Sequence, residues 1–490
     1  MSNSEIRFID TTLRDGNQSL WALNMKIGAM LPAAEQLDQA GFESLEFFVG
    51  AFKKRVRDLK ENPWEWLREG AKRFRKTRLR WHGSSSGSFE KVPRCIRKLI
   101  IERFASYGIT LNRTSDPWND FSDFNELDDL KEFGMDLVLN VIFSVSPRHT
   151  DEYYEQKTKE AAAIKPWRIC FKDVGGLLTT ERVQTLIPIV LQNAGDIPVE
   201  FHAHCNTGQA PLCYLEGVKL GMKILHTAVP PLANGASQPS VFNIAKNLRL
   251  LGYTPMVDLE PLEAVEKHLT AVAKREGLPI GRPPEYDHSQ YLHQVPGGMI
   301  SNMRHQLKLV GMEQKMDAAL EEAIHVRRDF GYPIMVTPLS QFVGTQAAIN
   351  VITGERYKEV PDQIIQYALG YWGNDAPKVM DPDIRDKILS RSDAKKWSEF
   401  ETPEPSLHEI RQKFGVTISD EELILRFFAG DAAVDSLPVG IKPCEYVDTR
   451  QPALKIIEQL AKQKKNRQVY IKRSDFSIRM KKLFDPKEDA

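Results

Sequence analysis

The feature that most constrains this chain is an alternation repeated eight times over roughly its first 230 residues. A short run of apolar and β-branched residues is followed by a longer, charged stretch with helical spacing. The short runs predict strands at 7–10, 44–48, 79–82, 109–113, 136–143, 167–172, 199–204 and 223–228. Most are separated by enough chain for a helical crossover, and strands joined that way lie parallel. Eight such units in this length is the size of a (β/α)8 TIM barrel. Counting alone leaves a doubly wound open sheet as the alternative. After about Pro279 the pattern changes. The stretches MRHQLKLVGMEQKMDAALEEAIHVRRDFG and PDQIIQYALGYWG carry apolar residues at helical spacing and Gly near their ends, as helix stops should. The expected plan is a barrel over 1–278, a mostly helical extension over 279–390, and a linker plus a helix-rich basic segment over 391–490. The linker is SRSDAKKWSEFETPEPS, polar and with two prolines. The basic end holds Lys462, Lys464, Lys465, Arg467, Lys472 and Arg473; a solvated surface is its ordinary meaning, partner docking the alternative.

Composition narrows the function classes. The 490 residues hold 66 Lys+Arg and 66 Asp+Glu, so no basic excess points to nucleic acid or an anionic membrane. With 42% apolar and 27% charged residues, the chain is not a mainly disordered one. Its five Cys are scattered and form no CxxC pair, which argues against a disulfide framework or a Cys-rich zinc site. The N-terminal stretch MSNSEIRFIDTTLRDG lacks a basic n-region and an apolar core, and no apolar run approaches the roughly 20 residues of a membrane helix. The expectation is a soluble, cytoplasmic protein that neither spans a membrane nor binds nucleic acid.

Barrel active sites lie at the C-terminal ends of the strands. The first strand runs into DTTLRDGNQS, which places Asp10, Arg14, Asp15 and Gln18 at its exit. The sixth ends in CFKDVGG, with Lys172 and Asp173. The seventh reads VEFHAHC. Because strands alternate faces, Glu200, His202 and His204 share one side and Val199, Phe201 and Ala203 the other. Two His at i and i+2, with an Asp at another strand end, suit a divalent metal and still want one more oxygen ligand. Lys172 has two readings. It pairs with Asp173, or its amine, neutral once desolvated, captures carbon dioxide and presents an anionic carbamate oxygen.

The segments DTTLRDGNQSLWA, ENPWEWLREG, CFKDVGGLLT, FHAHCNTG, HTAVPPLANGASQPS, QVPGGMISNMRHQL and VTPLSQFVGTQAAINVITGERY resemble the carboxyltransferase domain of pyruvate carboxylase. They are equally similar to the oxaloacetate decarboxylase α chain and the transcarboxylase 5S subunit, in order from about residue 5 to 430. The resemblance implies a (β/α)8 barrel whose mouth is flanked by a helical extension, in a homodimer. It also implies a divalent metal (zinc, manganese or cobalt) held by Asp15, His202, His204 and a carbamylated Lys172, with Gln18 contacting substrate. The implied reaction releases carbon dioxide from carboxybiotin, and an acceptor enolate attacks it. Metal charge together with Arg14 and Gln18 would stabilise that enolate.

Three departures from the family pattern bear on the acceptor. Pyruvate-using members carry an Arg after strand 3 that grips the substrate carboxylate. Here RLRWHGSSSGSF puts Trp81 or His82 there and Ser84 to Ser86 in the following turn, while Arg80, one or two positions off, points to the other face. Ala236 replaces the proton-relaying Thr of T-S-Q-P, leaving Ser237 or a water as substitute. Asn17 and Leu23-Asn24 replace other residues expected near the mouth. A small-molecule acceptor without a 2-oxo-carboxylate is expected, neutral and polar or aromatic, bound among Gln18, Trp81, His82, Ser84 and Ala236. The sole Met-Lys in a plausible frame, Met222-Lys223, falls inside the barrel, and no ATP-grasp region precedes the first strand. A separate carrier protein would then supply biotin, and a separate biotin carboxylase would charge it. The expected function is a carboxyltransferase subunit of such a multi-subunit complex. The alternatives are a biotin-independent metal-dependent decarboxylase or C–C lyase, favoured by the missing Thr and clamp, and a non-catalytic scaffold subunit.

Overall fold

The computed structural model describes residues 4–48, 50–83, 92–122, 126–400, 402–444, 468–472 and 477–481. Eight strands are β1 (Glu5–Asp10), β2 (Ser44–Phe48), β3 (Arg78–His82), β4 (Ile109–Thr114), β5 (Asp136–Ile142), β6 (Arg168–Asp173), β7 (Val199–Ala203) and β8 (Ile224–Thr227). Each pairs in parallel with the next, and β8 pairs with β1 through Arg7 opposite Ile224. That last ladder closes the sheet into a barrel and excludes the open sheet. A two-residue strand, β9 (Thr254–Pro255), pairs with Glu5 and Ile6 at the base of β1. Two residues carry no periodicity, so nothing in the sequence announces it.

The alternation within strands decides what faces the axis. Phe201 turns outward, its ring 5.0 Å from that of Tyr214 on the helix Ala210–Lys219. Glu200 and His202 therefore turn inward, and both are fully buried. Arg80, Glu46, Arg113 and His226 join them inside. The barrel interior thus holds several ionisable groups, and burial forces them to satisfy one another.

The helices after the barrel have their own core, built on Phe330, Phe342, Tyr357, Tyr367 and Trp372. Trp118, in the loop after β4, belongs to the same cluster and donates its indole N–H to the Trp372 carbonyl at 3.1 Å. The polar stretch expected as a linker is docked rather than free. Trp397, on the short helix Ala394–Ser398, lies beside Tyr371, whose hydroxyl donates to the Trp397 carbonyl at 2.7 Å. Further on, the helix Asp420–Ala429 covers the barrel. Trp64 donates to the Glu421 carbonyl at 3.0 Å and Phe52 stacks on Phe428 at 5.3 Å.

Contacts divide the chain into two units, Met1–Cys444 and Glu445–Ala490. The segment expected to be helix-rich holds the helices Leu407–Phe414, Asp420–Ala429 and Asp431–Asp435, and in the second unit Gln468–Lys472 (β10) and Ser477–Lys481 (β11) pair antiparallel. The segments QVYIK and SIRMK alternate with period two, a strand signal that their basic content obscured. Among the described residues, no helix is long and apolar enough to cross a membrane.

Candidate active site

The chain leaves β1 in a wide turn, Thr12–Gly16, that swings Asp15 over the barrel mouth. Gly16 is required there, because a Cβ would sit 2.7 Å from the Leu232 carbonyl oxygen. Asp15 Oδ2 then lies 3.3 Å from His202 Nε2 and 3.8 Å from His204 Nε2. The three ligand atoms fall within one small sphere, and all three residues are buried. Asp15 Oδ2 accepts no hydrogen bond among the described residues.

Protonation states follow from the neighbours. Burial alone would raise the Asp15 carboxyl, but Arg14, His204, Lys172 and Arg113 outweigh it and hold it well below the usual range. Burial lowers both His202 and His204, so each ring is neutral near pH 7. His204 Nδ1 donates to the Ala236 carbonyl at 2.6 Å, which leaves its Nε2 lone pair facing Asp15. Gln238 Nε2 lies 3.3 Å from His202 Nε2 and 3.1 Å from His204 Nε2, a donor facing both. A buried carboxylate and two imidazole lone pairs converging on one point are the donor set of a divalent cation. The residues present fit such an ion.

Lys172 lines the same cavity. Burial and the guanidiniums of Arg113 and Arg14 bring its amine down to about 7, against the opposing pull of Asp15. Of its two readings, the pairing with Asp173 does not form among the described residues. Asp173 faces the other side of β6 and accepts the Leu178 backbone N–H at 2.8 Å.

The cavity above these groups measures about 630 Å³. Its floor carries Arg14, Asp15, Lys172 and His204; its walls include Phe52, Trp81, Ile100, Met299 and Phe428. Gln18, His82 and Ala236 also line it. His202 stands behind, fully buried. Ser237 is buried and is not among the residues lining the cavity; its hydroxyl donates to Gln238 Oε1 at 3.2 Å. Asn17 also turns away from the cavity. Its amide accepts the Met25 N–H and donates to the Leu13 carbonyl, tying down the loop that follows β1. Ser84 lies outside the described residues.

The other face expected for Arg80 is not the one it takes: two residues before His82, it turns into the barrel interior, and Glu200 rather than its face keeps it from the cavity. Its guanidinium donates to both Glu200 oxygens at 2.7 and 2.8 Å, and neither side chain is exposed. Sequence reasoning missed Glu46, Arg113, His226 and Gln238. Glu46 pairs with Arg113 and lies 3.8 Å from Arg14, and Arg113 donates to His82 Nδ1 at 2.9 Å. The available signal was an ionisable residue inside each otherwise apolar strand: Glu46 in SLEFF, His226 in ILHT.

A closed parallel barrel with a carboxylate–imidazole cluster at its C-terminal mouth defines a metal-site enzyme of the TIM-barrel class. Comparison with known proteins supplies the family. Residues 291–430 match the family model described as a conserved carboxylase domain. A pyruvate carboxylase subunit of Methanocaldococcus jannaschii is 33% identical over 395 residues, 79% of this chain and 69% of that protein. The methylmalonyl-CoA carboxyltransferase 5S subunit of Propionibacterium freudenreichii subsp. shermanii is 29% identical over 385 residues, 78% of this chain and 76% of that one. In fold, the carboxyl transferase domain of Rhizobium etli pyruvate carboxylase, solved with oxamate and biotin, superposes with a TM-score of 0.80 at 23% identity, over 89% of this chain and 77% of that one. The chain belongs to the carboxyltransferase family of pyruvate carboxylase and the transcarboxylase 5S subunit, the carboxyltransferases of biotin-dependent carboxylases. That membership displaces the biotin-independent lyase and scaffold alternatives.

Proposed function

We propose that this chain is the carboxyltransferase subunit of a multi-subunit biotin-dependent carboxylase. A separate carrier would bring carboxybiotin to the cavity, a separate biotin carboxylase would charge that carrier, and the chain would work as a homodimer. The observation that carries this is the convergence of Asp15, His202 and His204 on one point at the cavity floor. A divalent ion there, zinc, manganese or cobalt, would supply Lewis-acid stabilisation of developing negative charge. Lys172 would complete the ligand set as a carbamate, since its amine is buried and near neutrality.

The remaining steps belong to the chain's own side chains. Arg14 and Gln18 stand at the mouth as donors to the acceptor's carbonyl oxygen as it becomes an enolate. His82 is a third. Arg113 donates to its Nδ1, so its ring proton sits on Nε2. Loss of carbon dioxide leaves an enolate on biotin, which takes the proton from the acceptor carbon. The acceptor enolate then forms its new C–C bond to the carbon dioxide. Apolar walls keep water from competing for that carbon dioxide.

The acceptor in this proposal is an uncharged carbonyl compound. Two observations support it: Arg80 is closed onto Glu200, and the donor nearest its strand end is the neutral ring of His82. A second reading, pyruvate, is favoured by the name of the Methanocaldococcus jannaschii relative. Fixation of labelled bicarbonate by the reconstituted complex, with pyruvate against uncharged ketones, separates them. Preference for an uncharged ketone is expected. Preference for pyruvate discards the acceptor assignment and keeps the carboxyltransferase. Failure of a biotinylated chain to co-purify with the tagged protein from its own cells would count against the multi-subunit assignment.

A further inference from the structure

A line of buried groups runs from the candidate metal cluster into the barrel axis. His202 Nδ1 lies 3.0 Å from His226 Nδ1, and His226 Nε2 lies 2.9 Å from Glu200 Oε2. Glu200 receives Arg80 on both oxygens, and Arg168 Nη1 reaches Oε1 at 3.3 Å. Glu200, His202 and His226 are all fully buried, so bulk solvent does not reach these contacts.

The line has one consistent polarity. An ionised carboxylate only accepts, so the His226 proton must sit on Nε2 and be given to Glu200. His226 Nδ1 is then a lone pair and must accept. His202 must therefore carry its proton on Nδ1 and give it to His226. That leaves the His202 Nε2 lone pair directed at Asp15, 3.3 Å away. The competing contact is the longer one: Arg113 Nη1 is 3.4 Å from His202 Nδ1, against 3.0 Å for His226 Nδ1, and Nη1 also donates to Cys170 Sγ at 3.7 Å while Nη2 serves Glu46 and His82. Gln238 Nε2, a donor 3.3 Å from His202 Nε2, agrees with a lone pair there.

We infer that His226 is a positioning residue for the metal. Through the Arg80–Glu200–His226 line it fixes the tautomer and ring orientation of His202, so that Nε2 is held ready as a ligand. This rests on the assignment of Asp15, His202 and His204 as metal ligands. A ligand imidazole that donates its far N–H to an outer acceptor is more basic and better oriented, and loss of such acceptors weakens metal binding about ten- to a hundredfold.

The test is titration of the metal-free full chain with Co2+ alone, followed by visible absorption. The unsubstituted chain should bind one Co2+ per chain at this cluster. His226→Leu keeps the volume and removes the acceptor; it should bind about ten- to a hundredfold more weakly and show a changed absorption band at saturation. His226→Asn, which restores an acceptor near the place of Nδ1, should recover most of the affinity and the band. A folded His226→Leu chain with unchanged affinity and band overturns the inference. Nitrogen-15 spectra of histidine-labelled, metal-free, unsubstituted chain test it without any variant: a proton on His202 Nδ1 is expected, and one on Nε2 refutes it. A chain that takes up no Co2+ at all overturns the metal assignment itself, a separate result.

Discussion

At the scale of single residues, the barrel interior is governed by the cost of burying charge. Glu200 carries its charge at 0% exposure because Arg80, Arg168 and His226 all donate to it. Removing one partner leaves the other uncompensated, and breaking a buried pair costs about 3–5 kcal/mol. Arg80→Met is therefore expected to lower the melting temperature steeply, whereas Arg78→Met, whose partner Asp136 is half-exposed, should have a much smaller effect. Asp116 gives the opposite case. Burial, with a smaller contribution from Asp120, pushes its carboxyl up to about 6, from 3.8, against the backbone N–H groups of Asp120 and Trp118 that it accepts. Its folded-state value lies above its unfolded one, so the protonated fold is the more stable. Stability is lost as pH rises from about 4 through 6. Asp116→Asn keeps the accepting oxygen and removes the charge. Thermal melts should show the variant more stable than the parent at pH 8 and no more stable at pH 4; equal gains at both would refute the assignment. Nothing in the sequence marks either effect. The Arg80–Glu200 pair joins residues 120 apart, and Asp116 depends on how a loop folds over itself.

At the scale of elements, the sequence and the structure agree where the hydrophobic pattern is long and regular. All eight barrel strands lie within two residues of their expected ends, the usual uncertainty of strand termini. The inward face of β7 was legible too, because a period of two fixes every side chain once one is placed. What failed depended on contacts between elements. His226 matters only because β8 stands beside β7, and Ser237 is turned by its turn rather than by its neighbours in sequence. The helix Asp420–Ala429 is the clearest instance. Its amphipathic pattern predicts a buried face but not which face of the barrel it covers. It sets Phe428 in the cavity wall, stacked on Phe52, while Arg57 donates to the Ala429 carbonyl at 2.8 Å. An apolar wall residue outside the ligand cluster contributes binding rather than chemistry. Phe428→Ala is expected to raise KM for the acceptor severalfold with kcat nearly unchanged. A fall in kcat at constant KM would place Phe428 in the reacting site instead.

At the scale of the whole molecule, the division at Cys444 has a physical meaning that can be tried directly. Every buried apolar residue of the barrel and its helices lies at or before Ala429 among the described residues. The strand ladder closes on itself, and Trp118 and Arg327 tie the later helices to the barrel without any residue beyond 444. The second unit pairs its own two strands, Gln468–Lys472 with Ser477–Lys481. The first unit should therefore fold as one cooperative body without the second. A chain ending at Cys444 is expected to melt at the temperature of the full chain and to bind Co2+ with the same affinity. Ending the chain at Pro405 instead removes Ile410, Leu423, Ile424 and Leu425 from the surface they cover. Each costs the transfer and cavity terms of a large apolar side chain, about 2–5 kcal/mol. That chain should melt far lower or fail to accumulate. If the cut at Cys444 destabilises as much as the cut at Pro405, the two units are one cooperative fold. If it leaves melting and metal uptake intact but abolishes co-purification of the biotinylated partner, the basic hairpin segment is where the partner docks.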